Sequence, residues 1–320
     1  MSSSGGTRAI IAALLANLGI AITKFVAWAV SGSASMLAEG VHSLADSGNQ
    51  LLLMLGGKRA KRSADAEHPF GYGRERYVSA FVVSIVLFSV GGVFSIVEGV
   101  NKLQHPHQLE QAWLPLTVLA IAIVLESLSL RTAVAESRPH KGSASWLGFV
   151  RRAKAPELPV VLLEDTAALI GLSFAALGVG LSVLTGDAMW DALGTVCIGA
   201  LLVLVALLLG FETRSLLVGE GASQADTEAI RAAIIGTPGI ERIIHLKTLY
   251  LGPDELLVAV KVAMARDDRL STVAARIDHL EEDIRLAVPV ARVIYVEPDV
   301  WHDPSLPPIP TEAIVLPSSD

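Results

Sequence analysis

Long apolar runs fill the chain as far as about residue 212, and they constrain it more than any other feature. A helix needs about 20 apolar residues to cross a bilayer. Six stretches meet that length, at residues 9–30, 34–55, 77–100, 113–135, 159–184 and 189–211. The second is interrupted by Glu39, His42 and Asp46. The whole chain is 52% hydrophobic and only 18% charged, where a soluble domain carries about 25% charge. The expectation is a multi-pass membrane protein lodged in a lipid bilayer. A formal net charge of −7 argues against nucleic acid as a partner. The one cysteine, Cys197, excludes an intrachain disulfide and a Cys-rich metal cage. The first residues have no basic stretch before the apolar run and no small-residue cleavage pattern, so no cleavable signal peptide is expected.

The connections orient the helices. Ser31-Gly32-Ser33 and Thr185-Gly186-Asp187 carry no positive charge, and the link between segments three and four has only Lys102 and two histidines. The link between segments two and three holds Lys58, Arg59, Lys61, Arg62, Arg74 and Arg76. The link between four and five holds Arg138, Lys141, Arg151, Arg152 and Lys154. Basic loops stay on the cytoplasmic side. Both basic loops and both termini are therefore expected in the cytoplasm, in an arrangement suited to a bacterial inner (plasma) membrane.

After Phe211 the pattern becomes that of a water-soluble domain. Ser223 caps a helix carrying Ile230, Ala233 and Ile234, which Pro238-Gly239 ends. Residues 242–251 and 256–264 are strand-like and flank the turn signal Gly252-Pro253-Asp254. An amphipathic helix at 271–287 and a third strand at 290–297 complete an αββαβ order, which suits a small sheet with helices on one face. The expected division is a transport domain at 1–212, a cytoplasmic α+β domain at 213–302, and an extended Pro- and Ser-containing tail at 303–320.

Ionisable groups at bilayer depth are costly and usually mark a pathway or a site. His42 and Asp46 are spaced i, i+4, so both lie on one helix face, with Glu39 a turn before them. Segment five supplies Glu164 and Asp165. Zinc accepts imidazole nitrogen and carboxylate oxygen, so His42, Asp46, Glu164 and Asp165 suffice for four ligands, with Glu39 as a further candidate. The same spacing also fits a hydrogen-bonded couple between helices or a proton relay. Lys24 of segment one either neutralises an acid or reaches the surface. Asn49 is a candidate donor behind the site. Glu126 and Arg131 pair with each other or with a neighbouring helix. Asp187 and Asp191 are expected at a solvated helix end, and Glu98 and Lys102 near the outer interface. Asp65, Glu67 and His68 lie within four residues in a basic loop, either as a transient cation site or as a polar turn.

These residues resemble the cation diffusion facilitator family of divalent-metal/proton antiporters. Residues 31–50, SGSASMLAEGVHSLADSGNQ, are similar to its helix-two signature. HPFGYG at 68–73 resembles the loop that opens helix three, and LLVGE at 216–220 the lead into the cytoplasmic domain. VLLEDTAALIG at 161–171 is most similar to the zinc transporter nine-like branch. The resemblance implies six transmembrane helices, a ferredoxin-like cytoplasmic domain and a homodimer. It also implies a transport site on helices two and five, with His42, Asp46 and Asp165 at matching positions. Val161 stands where the family has the first helix-five ligand. Asp65 and His68 match a loop metal site of some members, with Tyr72 at its third position. In the cytoplasmic domain Ile244, Lys261 and Tyr295 replace the usual ligands beside Glu297, with His245 next to the first of these positions, so little or no binuclear metal site is expected there.

The expected activity is secondary active efflux of a divalent cation, Zn²⁺ ahead of Mn²⁺, Fe²⁺ and Co²⁺, in exchange for protons. A mixed His/Asp donor set suits zinc, whereas Mn²⁺ favours more oxygen. The expectation includes no resident cofactor and no enzyme activity: hydrolytic and redox motifs are absent, as is the glycine loop of an ATPase. Two other classes fit the composition, a non-transporting metal-responsive subunit that binds a partner and a proton-coupled carrier of organic solutes.

Overall fold

The computed structural model describes residues 3–106 and 113–301, with side chains of the first helix described from Asn17 onward. The expected tail at 303–320 lies outside the described residues. The chain divides into two units, one running to Glu220 and including Tyr250–Asp254, the other holding the remainder.

The first unit is helical. Its elements are α1 (Ser3–Ser31), α2 (Ala34–Arg59), α3 (Glu75–Val86), a π-helical stretch (Leu87–Val93), α4 (Phe94–Gln104), α5 (Trp113–Lys141), the short α6 (Trp146–Arg152), α7 (Glu157–Thr185) and α8 (Met189–Val218). Among the described residues four helical stretches are long and apolar enough to cross a membrane: Glu75–Gln104, Trp113–Lys141, Glu157–Thr185 and Met189–Val218. The described part of α1, Asn17–Ser31, is apolar but shorter. α2 carries the polar residues of the candidate site and is not among the four.

The unit is apolar on both sides. Ile22, Val97, Ile121 and Leu204 face outward, as a lipid-embedded helix requires. The core joins Met36, Leu87, Leu119, Leu172, Ile198, Leu202 and Leu209 from α2, the π-helical stretch, α5, α7 and α8. α8 packs along α7 and along the π-helical stretch and α4. That last approach depends on small residues. A Cβ added to Gly199 would lie 2.7 Å from the backbone nitrogen of Ile96 and 2.8 Å from the carbonyl oxygen of Gly92.

The α1–α2 turn is held by two charges, Asp191, expected at a solvated end, and Lys102, expected near the outer interface. Asp191, at the start of α8, is fully buried. Its carboxylate accepts from Ser33 Oγ at 2.8 Å, from the Ala34 N–H at 2.8 Å and from the Ser35 N–H at 3.4 Å. The first N–H groups of a helix have no partner within it and carry a partial positive charge, so a carboxylate is stabilised there. Lys102 donates to the Gly32 carbonyl at 2.9 Å, just past the end of α1, where a cation is favoured. The solvated-end reading of Asp191 is therefore corrected: this buried acid caps α2. Asp191→Ala is expected to lower stability by about 2 kcal/mol, since it removes a cap and orphans buried donors. Thermal unfolding of the detergent-solubilised protein measures this, and Asp191→Asn should cost less.

In the second unit α9 (Gln224–Gly236) starts at Ser223, whose hydroxyl accepts from the Asp226 N–H at 3.1 Å. Strands β1 (Arg242–Gly252), β2 (Glu255–Ala263) and β3 (Ala291–Asp299) lie in that order in one sheet, and α10 (Leu270–Ala287) connects β2 to its parallel neighbour β3. Leu256, Val258, Val260 and Val262 alternate along β2 and are buried, the period of a strand with one face on a core. Ile230 and Ile234 of α9 and Leu280 and Ile284 of α10 are also fully buried.

Candidate functional site

α2 brings its polar residues into the helical unit because its spacing puts Glu39, His42 and Asp46 on inward-facing turns. Glu39 and His42 are no more than 1% exposed, and Asp46 is 14% exposed. His42 Nδ1 lies 3.5 Å from Asp46 Oδ1, beyond hydrogen-bond length. Both imidazole nitrogens and Asp46 Oδ1 are buried without a hydrogen-bond partner. Such groups are rare in folded proteins and mark either strain or a ligand that completes them. Gly91 of the π-helical stretch borders the imidazole, and π-turns occur often at functional sites.

Lys24 of α1 neutralises an acid, as one of its two sequence readings has it. Its ammonium donates to Glu39 Oε2 at 2.9 Å and to Ser43 Oγ at 2.7 Å, with both charged side chains 1% exposed or less. Glu39 is thus held in a buried ion pair. Its other oxygen faces Gly171 of α7, where an added Cβ would sit 2.9 Å away. A side chain at 171 would push the acid out of place.

The two acids of α7 diverge. Adjacent residues on a helix point about 100° apart, and each finds a different helix. Glu164 accepts from Asn49 Nδ2 of α2 at 2.7 Å, which makes Asn49 the donor behind it. Asp165 accepts from Ser129 Oγ of α5 at 2.8 Å. Val161, one turn before Asp165, packs into an apolar cluster with Leu130, Ala133 and Val134 of α5. Among the described residues no three His, Cys, Asp or Glu side chains converge at metal-binding distance in this conformation. Glu126 of α5 had two sequence readings, a pair with Arg131 or a partner on a neighbouring helix. It lies within electrostatic range of His42, Asp165, Lys24 and Glu39, all on other helices, as the second reading has it. Its one sequence signal is an acid in the middle of an apolar span.

In the loop after α2, Asp65 accepts from Tyr72 OH at 2.6 Å and from the backbone N–H groups of His68 and Glu67 at 2.7 and 3.1 Å. The Tyr72 hydroxyl first, then the His68 amide, hold the Asp65 carboxyl below the usual carboxylate range, and the same bond raises the Tyr72 hydroxyl. A depressed acid supports the turn at neutral pH and loses that support as pH falls through its lowered value. His68 Nδ1 stands 3.6 Å from Asp65 Oδ1, and the His68 and Tyr72 rings stack at 4.3 Å. These contacts build a polar turn around the two residues proposed for a loop site.

In the second unit Lys261 donates to Asp299 Oδ2 at 2.8 Å and Glu297 Oε1 at 2.9 Å. The hydrogen bonds to Asp299, then to Glu297, push the lysine up to about 12. A raised lysine gives its stabilisation below its unfolded value and loses it as pH rises through the folded one. At neutral pH the Lys261 ammonium therefore bridges these two carboxylates.

Residues 10–218 match the model of the cation efflux transmembrane domain. The human proton-coupled zinc antiporter SLC30A9, mitochondrial, is 34% identical over 232 residues, 72% of this chain and 41% of that protein. Its Xenopus laevis counterpart is 31% identical over 274 residues, 85% of this chain and 49% of that protein. The chain thus spans less than half the length of these relatives. The cation-efflux pump FieF of Klebsiella pneumoniae is 27% identical over 301 residues, 93% of each chain.

Proposed function

This chain belongs to the cation efflux, or cation diffusion facilitator, family, near its zinc transporter nine-like branch, and we propose that it exports a divalent cation, Zn²⁺ first, from the cytoplasm in exchange for protons. The observation that carries the reading is His42: an imidazole 1% exposed, with neither nitrogen bonded, beside an unpartnered oxygen of Asp46. His42, Asp46 and Asp165 hold the cation, and Glu164 is the adjoining carboxylate. Binding requires a neutral imidazole and ionised carboxylates, so a cation and protons compete for the same atoms. That competition couples proton entry to metal exit, while rocking of the helices alternates access. Since the side chains stand apart in this conformation, loading draws them together. Asp165 would leave Ser129 to do so.

The rest of the proposal is topological. Six crossings, with α1 and α2 as the first two, put both termini in the cytoplasm of a bacterial inner membrane. Residues 213–302 form a ferredoxin-like domain there, and the protein works as a homodimer. Glu39 is left to Lys24, and the Asp65–His68 pair to its turn. A non-transporting, metal-responsive subunit is the second reading, favoured by Val161 and by the unassembled donors.

Metal identity is tested by Zn²⁺ flux into proteoliposomes in competition with Mn²⁺, Fe²⁺ and Co²⁺. Zn²⁺ is expected to be carried and the others to compete more weakly. No flux of any of the four metals would favour the subunit reading.

A further inference from the structure

Interhelix contacts fix the relative heights of the polar residues. Asn49 of α2 bonds Glu164 of α7, and Glu39 of α2 lies against Gly171 of α7. These helices therefore run antiparallel, and His42 and Asp46 fall between the two contacts. Ser129 of α5 bonds Asp165, while Leu130, Ala133 and Val134 pack with Val161 and Leu162. α5 is thus antiparallel to α7 as well. Glu126, three residues before Ser129 and on its face, is carried past Asp165 to the height of His42 and Asp46. It lies within electrostatic range of His42, Asp46 and Asp165. Arg131 is five residues further along α5 and exposed, on a different face. Lys24 is committed to Glu39 and Ser43. On the other side of Asp165, Val161 offers no donor.

We propose that Glu126 is a coordinating carboxylate of the transport site, brought by α5 to the cation that His42, Asp46 and Asp165 hold. This rests on the export reading above. The His42 nitrogens have no hydrogen-bond partner among the described residues, and an ionisable group at bilayer depth usually marks a site or a pathway. α5 thereby supplies the oxygen that α7 withholds at Val161. The centre becomes richer in carboxylate, which extends its reach towards harder divalent ions.

The test is equilibrium Zn²⁺ binding to the full chain in detergent, with Zn²⁺ flux in proteoliposomes alongside. Glu126→Gln is expected to weaken affinity by about tenfold or more, with flux falling in parallel. Val161→Asp adds a carboxylate one turn from Asp165, at the same i, i+4 spacing as His42 and Asp46. It is expected to restore binding to the Glu126→Gln protein. The thermal unfolding midpoint is measured for each variant, and Glu126→Asp carries the test if Glu126→Gln does not fold. Unchanged affinity in Glu126→Gln, or a loss that Val161→Asp does not repair, overturns the assignment. Wild-type protein that neither binds nor moves Zn²⁺ overturns the export reading itself, whereas active wild type with an unaffected Glu126→Gln removes only Glu126.

Discussion

Proteoliposomes carrying Asp46→Ala are expected to show no Zn²⁺ flux above the protein-free background, and Asp165→Ala the same. Removing even a residue that only supports a metal ligand costs about 10–100-fold in affinity or activity, and these two would be ligands. Asp46 stands one turn from His42 with an unpartnered oxygen. Asp165 bonds the Ser129 hydroxyl, a partner it can exchange for a cation. The folded state should survive both changes, because neither acid is half of a buried ion pair. Loss of flux with an unchanged unfolding midpoint is therefore the expected signature. Flux equal to wild type in both variants would remove these residues from the site.

Lys24→Met is expected to act through stability. Lys24 and Glu39 are buried together, 2.9 Å apart, with Ser43 as the third member. Breaking a buried pair from one side leaves the other charge uncompensated, at a cost of about 3–5 kcal/mol. Replacing both members removes that penalty. Lys24→Met should thus lower the unfolding midpoint sharply, and Lys24→Met with Glu39→Gln should recover most of it. If the double variant is no better than the single one, the pair is not the source of the loss. Glu39→Gln alone should also be the milder single change, because an ammonium reaches neighbouring oxygens more easily than a buried carboxylate finds a new donor. The pair lies one turn from His42, so this experiment also separates structural from functional acids on α2.

Much of the second unit was legible because its signals are local. Ser223 before an apolar-periodic helix, Pro238-Gly239 after it and the alternation of Leu256, Val258, Val260 and Val262 each act within a few residues. The four long apolar helical stretches were legible for a similar reason, since length and apolarity are properties of one segment. What sequence did not show depends on helices far apart in the chain. Asp191 looked like a solvated end because nothing near it in sequence announces that the start of α2 lies above it. Lys24 left two readings open until α1 was seen against α2. Glu126 likewise had two readings, a nearby arginine or another helix, and only the fold brings it within electrostatic range of residues of α1, α2 and α7. The π-helical stretch Leu87–Val93 has no sequence signal of its own. The donors His42, Asp46, Glu164 and Asp165 were found by type and spacing. Their directions, with Glu164 turned to α2 and Asp165 to α5, came only from packing.

The central claim is that one buried centre exchanges a divalent cation for protons. Zn²⁺ flux in sealed proteoliposomes under an imposed pH gradient tests it most directly. Zn²⁺ should move against the proton gradient, towards the acidic compartment. Flux should reverse when the gradient is reversed and collapse when a protonophore dissipates it. Zn²⁺ flux that ignores the sign and size of the pH gradient would contradict the account.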